Sequence, residues 1–378
     1  MHRRSLLDIE GLRHWGRAMP HDHLTLREIG EKKVVSELIH QLRSTNRLLD
    51  GLGHDAGFVP FSLSEDEVLV VNTDRSGENL AYKLGLAGPE SVGDLAVSHA
   101  VSDIAAAGGE PHVLTVSLLL PEHKTLEYAK SLMKGVQTAA DRWDMVIASG
   151  DTKKNASVAV VITVIGKAKR SRCLTRSGAK VGDLLVVTGH LGTMFAAALA
   201  HQSRSEIPAD LERIFQESLV NQRPPVELGL AFSRSEIAHA CTDISDGLPS
   251  AVFDLCNSSE VGAELEIHKI PVFEKVWSFA NTSLGVKRES LIAANGDWQF
   301  LYAIPQRKYE DALAIARKVG VPISAIGTFT AERSVTARGG DGLRRHLNRI
   351  ENDGFFKVNG QSYFDRLASN PPLLGSIV

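Results

Sequence analysis

The strongest constraint on the fold of this chain is the alternation of short apolar runs with helical patterns. Residues 67–74 (EVLVVNTD) have the valine-rich composition of a buried strand, and residues 91–108 (SVGDLAVSHAVSDIAAAG) have that of a helix. Ser91 is predicted to cap this helix, with Asp94 three residues further on as in a capping box, and Gly108 to end it. Such alternation predicts an α/β or α+β architecture.

The same reading divides the rest of the chain. Beyond the first strand and helix, a helix is predicted at 26–49, strands at 113–120, 145–148 and 158–165, and a helix at 126–142. A polar stretch at 167–180 (KAKRSRCLTRSGAK) interrupts the apolar pattern, and we place a domain boundary there. After it come a strand at 182–187, an alanine-rich helix, a polar helical region at 206–222, a strand at 237–241 and a helix at 249–256.

These boundaries predict four segments: an extension at 1–25, an N-terminal domain at 26–168, a C-terminal α/β domain at 169–345 and a tail at 346–378.

The net charge of −3 gives no reason to expect a general nucleic-acid or membrane-surface binder. Three cysteines without a CxxC pair suit a reducing cytoplasm, and we expect neither a signal peptide nor a membrane span.

Acidic residues recur at or near the ends of the predicted elements. They are Asp55, Asp74, Asp103, Asp151, Asp243 and Asp246, often beside Ser, Thr or Gly. Taken singly, each is an ordinary helix cap or turn residue. Taken together, they lie where α/β folds gather ligand groups, and oxygen ligands without His or Cys suit magnesium. The pattern therefore favours a metal-assisted phosphoryl transfer.

The common nucleotide-binding signatures do not occur in this sequence. It has neither a GxxxxGK[ST] loop nor the kinase set of a Gly-rich loop, HRD and DFG. Gly189 and Gly192 follow a predicted strand, but their spacing is not that of a dinucleotide fingerprint, and a tight turn into a packed helix explains them. If the protein uses ATP, we expect a less common nucleotide-binding fold.

Seven segments together resemble the thiamine-monophosphate kinase family, within the superfamily of aminoimidazole ribonucleotide synthetase and selenophosphate synthetase. The resemblance runs from about residue 29 to about residue 329 and is most specific in SDIAAAGGEP and DISDGL. Its segments are 53–56 (GHDA), 71–74 (VNTD), 101–111 (VSDIAAAGGEP), 149–152 (SGDT), 176–183 (RSGAKVGD), 187–192 (VTGHLG) and 243–248 (DISDGL).

The resemblance implies an N-terminal α/β domain that pairs with a second subunit into a barrel, with a C-terminal α/β domain beside it. It implies a homodimer that uses ATP, Mg²⁺ and a small-molecule acceptor, with ATP in a cleft near the dimer interface. The metal ligands carried over by motif are Asp55, Asp74, Asp103, Asp151 and Asp246. The residues implied around the nucleotide are Asn72, Thr73, Gly150, Thr152 and Ser245. Asp243, Asp246 and Arg176 are the implied catalytic residues, with Asp243 close to the transferred phosphoryl group and Arg176 on a phosphate.

Arg176 also suits a second interpretation, a solvated linker arginine. The sequence departs from the family pattern mainly on the acceptor side. Where the family carries GDDA this chain has His54 before Asp55, and where it carries GGEDYELLF this chain keeps Asp297 but has Gly296 and Gln299 in place of two glutamates. Charged groups in a pocket strongly affect which ligand is accepted.

The phosphoryl acceptor therefore has more than one interpretation. The simplest is thiamine monophosphate, converted to the diphosphate. A specialised relative would activate another small molecule, for example at an amide-type oxygen. The third interpretation is a nucleotide-binding homologue with weak activity, because His54 replaces a carboxylate and the loss of one ligand could remove one metal ion.

Overall fold

The computed structural model of the protein describes residues 23–42, 47, 59, 61–350 and 363–378. Its N-terminal half contains α1 (Leu26–Ile29), α2 (Glu31–Gln41), β1 (Glu67–Ser76), α3 (Leu80–Lys83), α4 (Pro89–Ala106), β2 (Glu110–Leu120), α5 (Leu126–Arg142), β3 (Val146–Lys154) and β4 (Ala159–Lys169). The helix predicted at 26–49 begins as expected but is interrupted at Gly30, whose φ of 81° separates α1 from α2. Its predicted end lies outside the described residues.

The first sheet has the strand order β1-β4-β2-β3, with only the β2–β3 pair parallel. One face of this sheet packs against α4 and α5 through residues such as Leu114, Leu118 and Val164. The two helices cross at very close range, because a Cβ at Gly135 would lie 1.9 Å from the Glu90 carbonyl oxygen. Small residues at the crossing thus allow α4 to lie flat over the strands.

The predicted helix at 126–142 is confirmed as α5, whereas the predicted cap of α4 is wrong. The helix begins at Pro89 after the N-cap Gly88, so Ser91 lies in its first turn and its Oγ donates to the Gly88 carbonyl at 2.8 Å. Proline at the first position has no N–H that needs a partner, which suits an earlier start. Gly108 does follow the end of the helix with a left-handed φ of 76°.

The second half alternates strands and helices over a larger sheet. Its elements are β5 (Leu184–Thr188), α6 (Thr193–Gln202), α7 (Ala209–Val220), α8 (Val226–Arg234), β6 (Ala240–Asp243), α9 (Leu248–Ser259), β7 (Gly262–Glu266), α10 (Glu274–Ser283), α11 (Arg288–Ala293), β8 (Phe300–Ile304), α12 (Tyr309–Val319), β9 (Ile323–Thr330), β10 (Val335–Arg338), β11 (Arg344–Leu347), α13 (Tyr363–Ala368) and β12 (Leu374–Ile377). The strand order is β12-β11-β10-β7-β9-β5-β8-β6. The last strands of the chain therefore extend this sheet.

The two halves share a core where α8 packs against α4. Phe232 of α8 and Phe300 of β8 belong to the same apolar cluster as α4, and a Cβ at Gly229 would lie 2.9 Å from the Ala105 carbonyl oxygen. This contact sets the C-terminal end of α4 beside the end of β6. In the described part of the chain no helix is both long and apolar enough to cross a membrane.

Candidate active site

Asp103 lies near the end of α4 and is held by β1. The Asn72 side-chain nitrogen Nδ2 donates to Asp103 Oδ2 at 2.7 Å and reaches the Ala100 carbonyl at 3.4 Å. Strand alternation places Asp74 on the same side of β1 as Asn72, facing the helices. The predicted residues Asn72, Asp74 and Asp103 therefore lie close together.

Asp243 approaches this group from the other half of the molecule. It is the last residue of β6, only 5% exposed, and pairs across the strands with Phe300 of β8. Its Oδ2 receives the Ser102 hydroxyl at 3.5 Å and its Oδ1 the Ser245 hydroxyl at 3.4 Å. Both contacts are long, so this buried carboxylate has little hydrogen-bond compensation in the chain.

Burial is the largest cause of the raised pKa values in this group, and neighbouring carboxylates add to it at Asp103 and Asp243. Burial, with the charges of Asp243 and Asp74, raises the pKa of Asp103 to about 7. Burial likewise raises the pKa of Asp243 to about 6, with a smaller contribution from the Asp246 charge, and raises the pKa of Asp74. Carboxylates that are clustered and partly removed from water favour a bound cation, because the cation relieves their mutual repulsion. The site therefore has an excess of negative charge that a ligand can neutralise.

Arg176 is the positively charged residue that acts on the carboxylates of this group. Its charge opposes the rise in pKa at both Asp103 and Asp243. Its Nη1 lies 3.4 Å from Oδ2 of Asp254, a residue of α9 that the sequence reading did not single out. The charge of Arg176 therefore acts on these carboxylates, and its side chain forms an ion pair that no motif signalled, while its predicted contact with phosphate stays a prediction.

Asp246 is exposed, at the start of the turn that leads through Gly247 into α9. The Asp246 charge raises the pKa of Asp243, so the two carboxylates lie near each other. Asp55 lies outside the described residues. Within those residues, no three His, Cys, Asp or Glu side chains stand close enough together to hold a metal ion unaided.

Asp151 lies at the opposite edge and on the opposite face of the first sheet from Asp74. It pairs with Ser117, which alternates with the helix-facing Val116 and Leu118, so both Ser117 and Asp151 point away from the helices. Two strands separate β1 from β3, which amounts to about 14 Å between them. Within one chain, Asp74 and Asp151 cannot bind the same ion.

The remaining predicted nucleotide residues divide between the two faces. Thr73 points away from the helices, where its hydroxyl lies 2.9 Å from that of Thr163. Gly150 faces the helices and allows close approach, because a Cβ there would lie 2.8 Å from the Val116 carbonyl oxygen. Thr152 lines a cavity of about 190 Å³ against α1 and α2. These three are not brought together with Asp103 in the chain.

The segment 294–299 is hydrogen-bonded to the end of β5 and to the start of α6. Asp297 caps α6, since its Oδ2 receives the Gly192 amide at 2.6 Å and its Oδ1 the Met194 amide at 3.0 Å. Gln299 receives the Thr188 hydroxyl at 2.8 Å and its own amide donates to the Asp297 carbonyl. The turn predicted at Gly189–Gly192 is therefore a packed turn whose helix is capped from a distant loop.

An aromatic contact joins this segment to α4. The Trp298 ring stacks on His99, with centroids 3.6 Å apart and the planes at 15°. Trp298 has a φ of 51°, a costly conformation for a bulky side chain that usually needs strong support from its surroundings. Burial lowers the pKa of His99 to about 4, so the stack is neutral at ordinary pH. His99 precedes Asp103 by one helical turn, which puts the stack beside the acidic group.

Comparison with known proteins identifies the family to which this fold belongs. The family model described as AIR synthase related protein, N-terminal domain, matches residues 53–168, and that of the C-terminal domain matches residues 180–340. These two matches, which together cover more than half of the chain, define an AIR synthase-related protein. The thiamine-monophosphate kinase of Pyrococcus horikoshii is 32% identical over 258 residues, 68% of this chain and 77% of the relative. The chain belongs to the thiamine-monophosphate kinase family.

Solved structures show the same fold in more than one branch. The thiamine-monophosphate kinase of Stenotrophomonas maltophilia has a TM-score of 0.68 at 22% identity, over 82% of this chain and 95% of that one. AaThiL, solved with AMPPCP and TMP, has a TM-score of 0.64 at 23% identity, over 84% and 96%. The hydrogenase maturation protein HypE of E. coli reaches 0.68 at 19%, over 84% and 96%. The backbone alone therefore does not separate these branches.

Proposed function

We propose that this protein transfers the γ-phosphoryl group of ATP to thiamine monophosphate and so forms thiamine diphosphate. The observation that carries the proposal is the meeting of Asp74, Asp103 and Asp243 from both halves of the molecule, with the pKa of each raised. Its support also includes the curated relatives with this activity and the AaThiL complex with AMPPCP and TMP.

Magnesium suits the donor set of this site. The donors are carboxylate oxygens, which Mg²⁺ prefers, and their pKa values are raised mainly by burial and in smaller part by neighbouring carboxylates, whose repulsion a divalent cation relieves. Asp74, Asp103 and Asp246 would hold the ion, with Asp55 as a further predicted ligand. When bound, it would neutralise charge on the ATP phosphates. Because Mg²⁺ keeps several waters and shares its shell with phosphate, three preformed protein ligands are not required.

The protein residues position the reacting groups. Phosphoryl transfer needs alignment and charge neutralisation more than a covalent nucleophile, and an oxygen of the acceptor phosphate attacks in line. Asp243, held rigidly at the end of β6, would orient the groups around the transferred phosphoryl. Arg176 would bind phosphate oxygens, which a guanidinium does with two parallel hydrogen bonds. Burial of Asp243 to 5% exposure keeps bulk water from this corner.

We also propose a homodimer formed through the outer face of the first sheet. Leu69 and Val71 of β1 are 48% and 59% exposed on that face, an unusual place for two neighbouring apolar side chains. Asp151 lies on the same face, at the far edge. In a barrel whose interior these faces line, the β3 edge of one subunit would lie beside the β1 edge of the other, so Asp151 would come next to the strand that carries Asp74 and would serve the Asp74 and Asp103 group of that subunit. The cytoplasmic location expected from the sequence stays a prediction.

The direct test is to incubate the protein with ATP, MgCl₂ and thiamine monophosphate and to detect the diphosphate by mass. Asp246→Asn should lower turnover by at least about 100-fold, because it removes charge from the group that meets the phosphates. Asp210→Asn is the matched control, since Asp210 forms an exposed ion pair with Lys275 on other helices. Robust ADP formation with another acceptor and no thiamine diphosphate would favour the specialised relative. Nucleotide binding without turnover would favour the weakly active homologue.

The dimer proposal has its own test. Asp74→Asn and Asp151→Asn are each expected to lose activity, because each removes one ligand of every site. In a mixture of the two variants that has exchanged subunits, one site of each mixed dimer carries both changes and the other carries neither. Recovery of about a quarter of wild-type activity after random exchange supports a site shared between subunits, whereas no recovery contradicts it.

A further inference from the structure

The helix α9 holds both the acidic loop and the arginine of the candidate active site. It begins directly after the DISDG turn and carries Asp254 on its exposed side. We propose that Asp254 is a positioning residue for Arg176, and that Arg349 holds Asp254 in turn. This inference rests on the proposed function, in which Arg176 binds phosphate. Arg349 lies beyond residues 180–340, the part matched by the C-terminal family model.

Asp254 connects the two arginines through different oxygens. Its Oδ2 lies 3.4 Å from Nη1 of Arg176, and its Oδ1 lies 3.1 Å from Nη2 of Arg349. The Arg349 guanidinium also lies 5.9 Å from the centre of the Phe253 ring, within the range of a cation–π contact. The carboxylate of Asp254 is thus fixed from one side and presents its second oxygen to Arg176.

The same helix fixes the backbone that carries Arg176. The Ser259 hydroxyl, at the end of α9, donates to the Arg176 carbonyl at 3.1 Å and receives the amides of Gly178 and Ala179, each at 3.1 Å. Backbone and side chain of this short segment are therefore both attached to α9, so Arg176 keeps a constant relation to the DISDG turn.

The contacts of Asp254 explain why Arg176 does not pair directly with the site carboxylates. Asp103 and Asp243 attract the guanidinium, as its effect on their pKa values shows. A guanidinium bound to these carboxylates would compete with the cation and phosphate that the site is proposed to hold. Asp254 offers a competing carboxylate on the other side. With Arg176 54% and Asp254 29% exposed in their side chains, such a pair contributes little to stability.

The test measures binding of AMPPCP with MgCl₂ by calorimetry in six proteins: wild type, Asp254→Asn, Arg176→Met, the double variant of these two, Asp254→Glu and Arg349→Met. Asp254→Asn is expected to weaken binding about ten-fold, because a guanidinium moved by about 1 Å loses its alignment with phosphate. In the Arg176→Met background the same substitution should change binding by less than about two-fold, since the residue that it positions is gone. Asp254→Glu should recover most of the loss, and Arg349→Met should weaken binding about three-fold.

Two results would overturn the inference. The first is that Asp254→Asn weakens AMPPCP binding equally in the wild-type and the Arg176→Met backgrounds. The second is that the single variants Asp254→Asn and Arg349→Met both bind AMPPCP as tightly as wild type. Melting temperatures should stay close to wild type, and the exposed pair Asp210 and Lys275 supplies the control through Asp210→Asn. In turnover assays with thiamine monophosphate the loss should appear in KM for ATP. A wild-type protein that binds AMPPCP but makes no thiamine diphosphate rejects the proposed function, while the binding cycle still decides the role of Asp254.

Discussion

Asp243 and Asp297 are two carboxylates of the same half whose pKa burial raises to about 6. Their partners differ. Asp297 receives two backbone amides at the start of α6, at 2.6 and 3.0 Å, whereas Asp243 receives two hydroxyls at 3.4 and 3.5 Å. The two short amide contacts offset the cost of burying the Asp297 carboxylate, whereas the two long hydroxyl contacts offset that of Asp243 only weakly.

The difference separates a structural acid from one available to a ligand. A buried carboxylate with short, well-directed donors stabilises the element that supplies them. One with long contacts, beside further carboxylates, remains costly until a cation or a phosphate complex arrives. The count and length of hydrogen bonds thus distinguish the two roles where pKa alone does not.

The same substitution at both positions should give opposite results. Asp243→Asn keeps the shape of the side chain and removes its charge, so we expect turnover to fall about 1,000-fold while the protein stays folded. Asp297→Asn should change turnover by less than about ten-fold in the folded protein, because its carboxylate faces amides of α6. Steady-state rates and circular dichroism check both, and comparable rates for the two variants would remove the distinction.

Asp297→Ala should have the larger effect on stability. It leaves the amides of Gly192 and Met194 without an acceptor, and we expect the free energy of unfolding to fall by about 2 kcal/mol. Urea denaturation measures the change. Asp243→Ala in the same experiment serves as the comparison, since only two long hydroxyl contacts are lost there. An equal loss at the two positions would show that Asp243 is as well compensated as Asp297.

Three carboxyls should make stability without ligands fall as pH rises from about 4 to about 7, opposed by His99, whose pKa burial lowers to about 4. The pKa values of Asp103, Asp243 and Asp297 in the folded protein, about 7, 6 and 6, lie above the ordinary value. The folded state therefore binds more protons than the unfolded state in this window, and each carboxyl contributes a slope below about 1.4 kcal/mol per pH unit. Asp243→Asn should flatten the dependence in denaturation at several pH values. A pH dependence that is the same in Asp243→Asn and in wild type would contradict the assignment.

The smallest effect is expected at the hydroxyls that reach Asp243. Ser102→Ala and Ser245→Ala should each lower the free energy of unfolding by less than about 1 kcal/mol, because hydrogen bonds near 3.5 Å are weak. Thermal denaturation of the two variants beside wild type measures this. A loss as large as that of Asp297→Ala would mean that Asp243 is held as tightly as the cap.

The acidic residues that lie close together could be singled out from the sequence because their signals are local. Asp74 and Asp243 end or nearly end valine-rich or apolar strands, and alternation along β1 puts Asn72 and Asp74 on one face. Asp103 follows from a helix whose period is clear over 91–108. These relations depend on periods of 2.0 and 3.6 residues, which can be read along the chain.

The relations that depend on strand order could not be predicted from these signals. Asp151 has the same local signal as Asp74, but the order β1-β4-β2-β3 sends it to the far edge and the outer face. The ion pair of Asp254 joins residues 78 positions apart along the chain, and no motif marks it. The cap of α6 by Asp297 likewise connects residues about 105 positions apart. Such contacts arise from packing of elements that are distant in the chain.

The stack of Trp298 on His99 gives the protein a built-in optical probe. Trp298 is one of four tryptophans in the chain, and its indole meets a ring that belongs to the helix carrying Asp103. Because His99 has a pKa of about 4, its ring keeps one charge state across the physiological range. With the charge of His99 constant, a change in the emission of Trp298 should report movement of α4 against the segment 294–299. Fluorescence can then follow, without any label, how the two halves of the molecule answer a ligand.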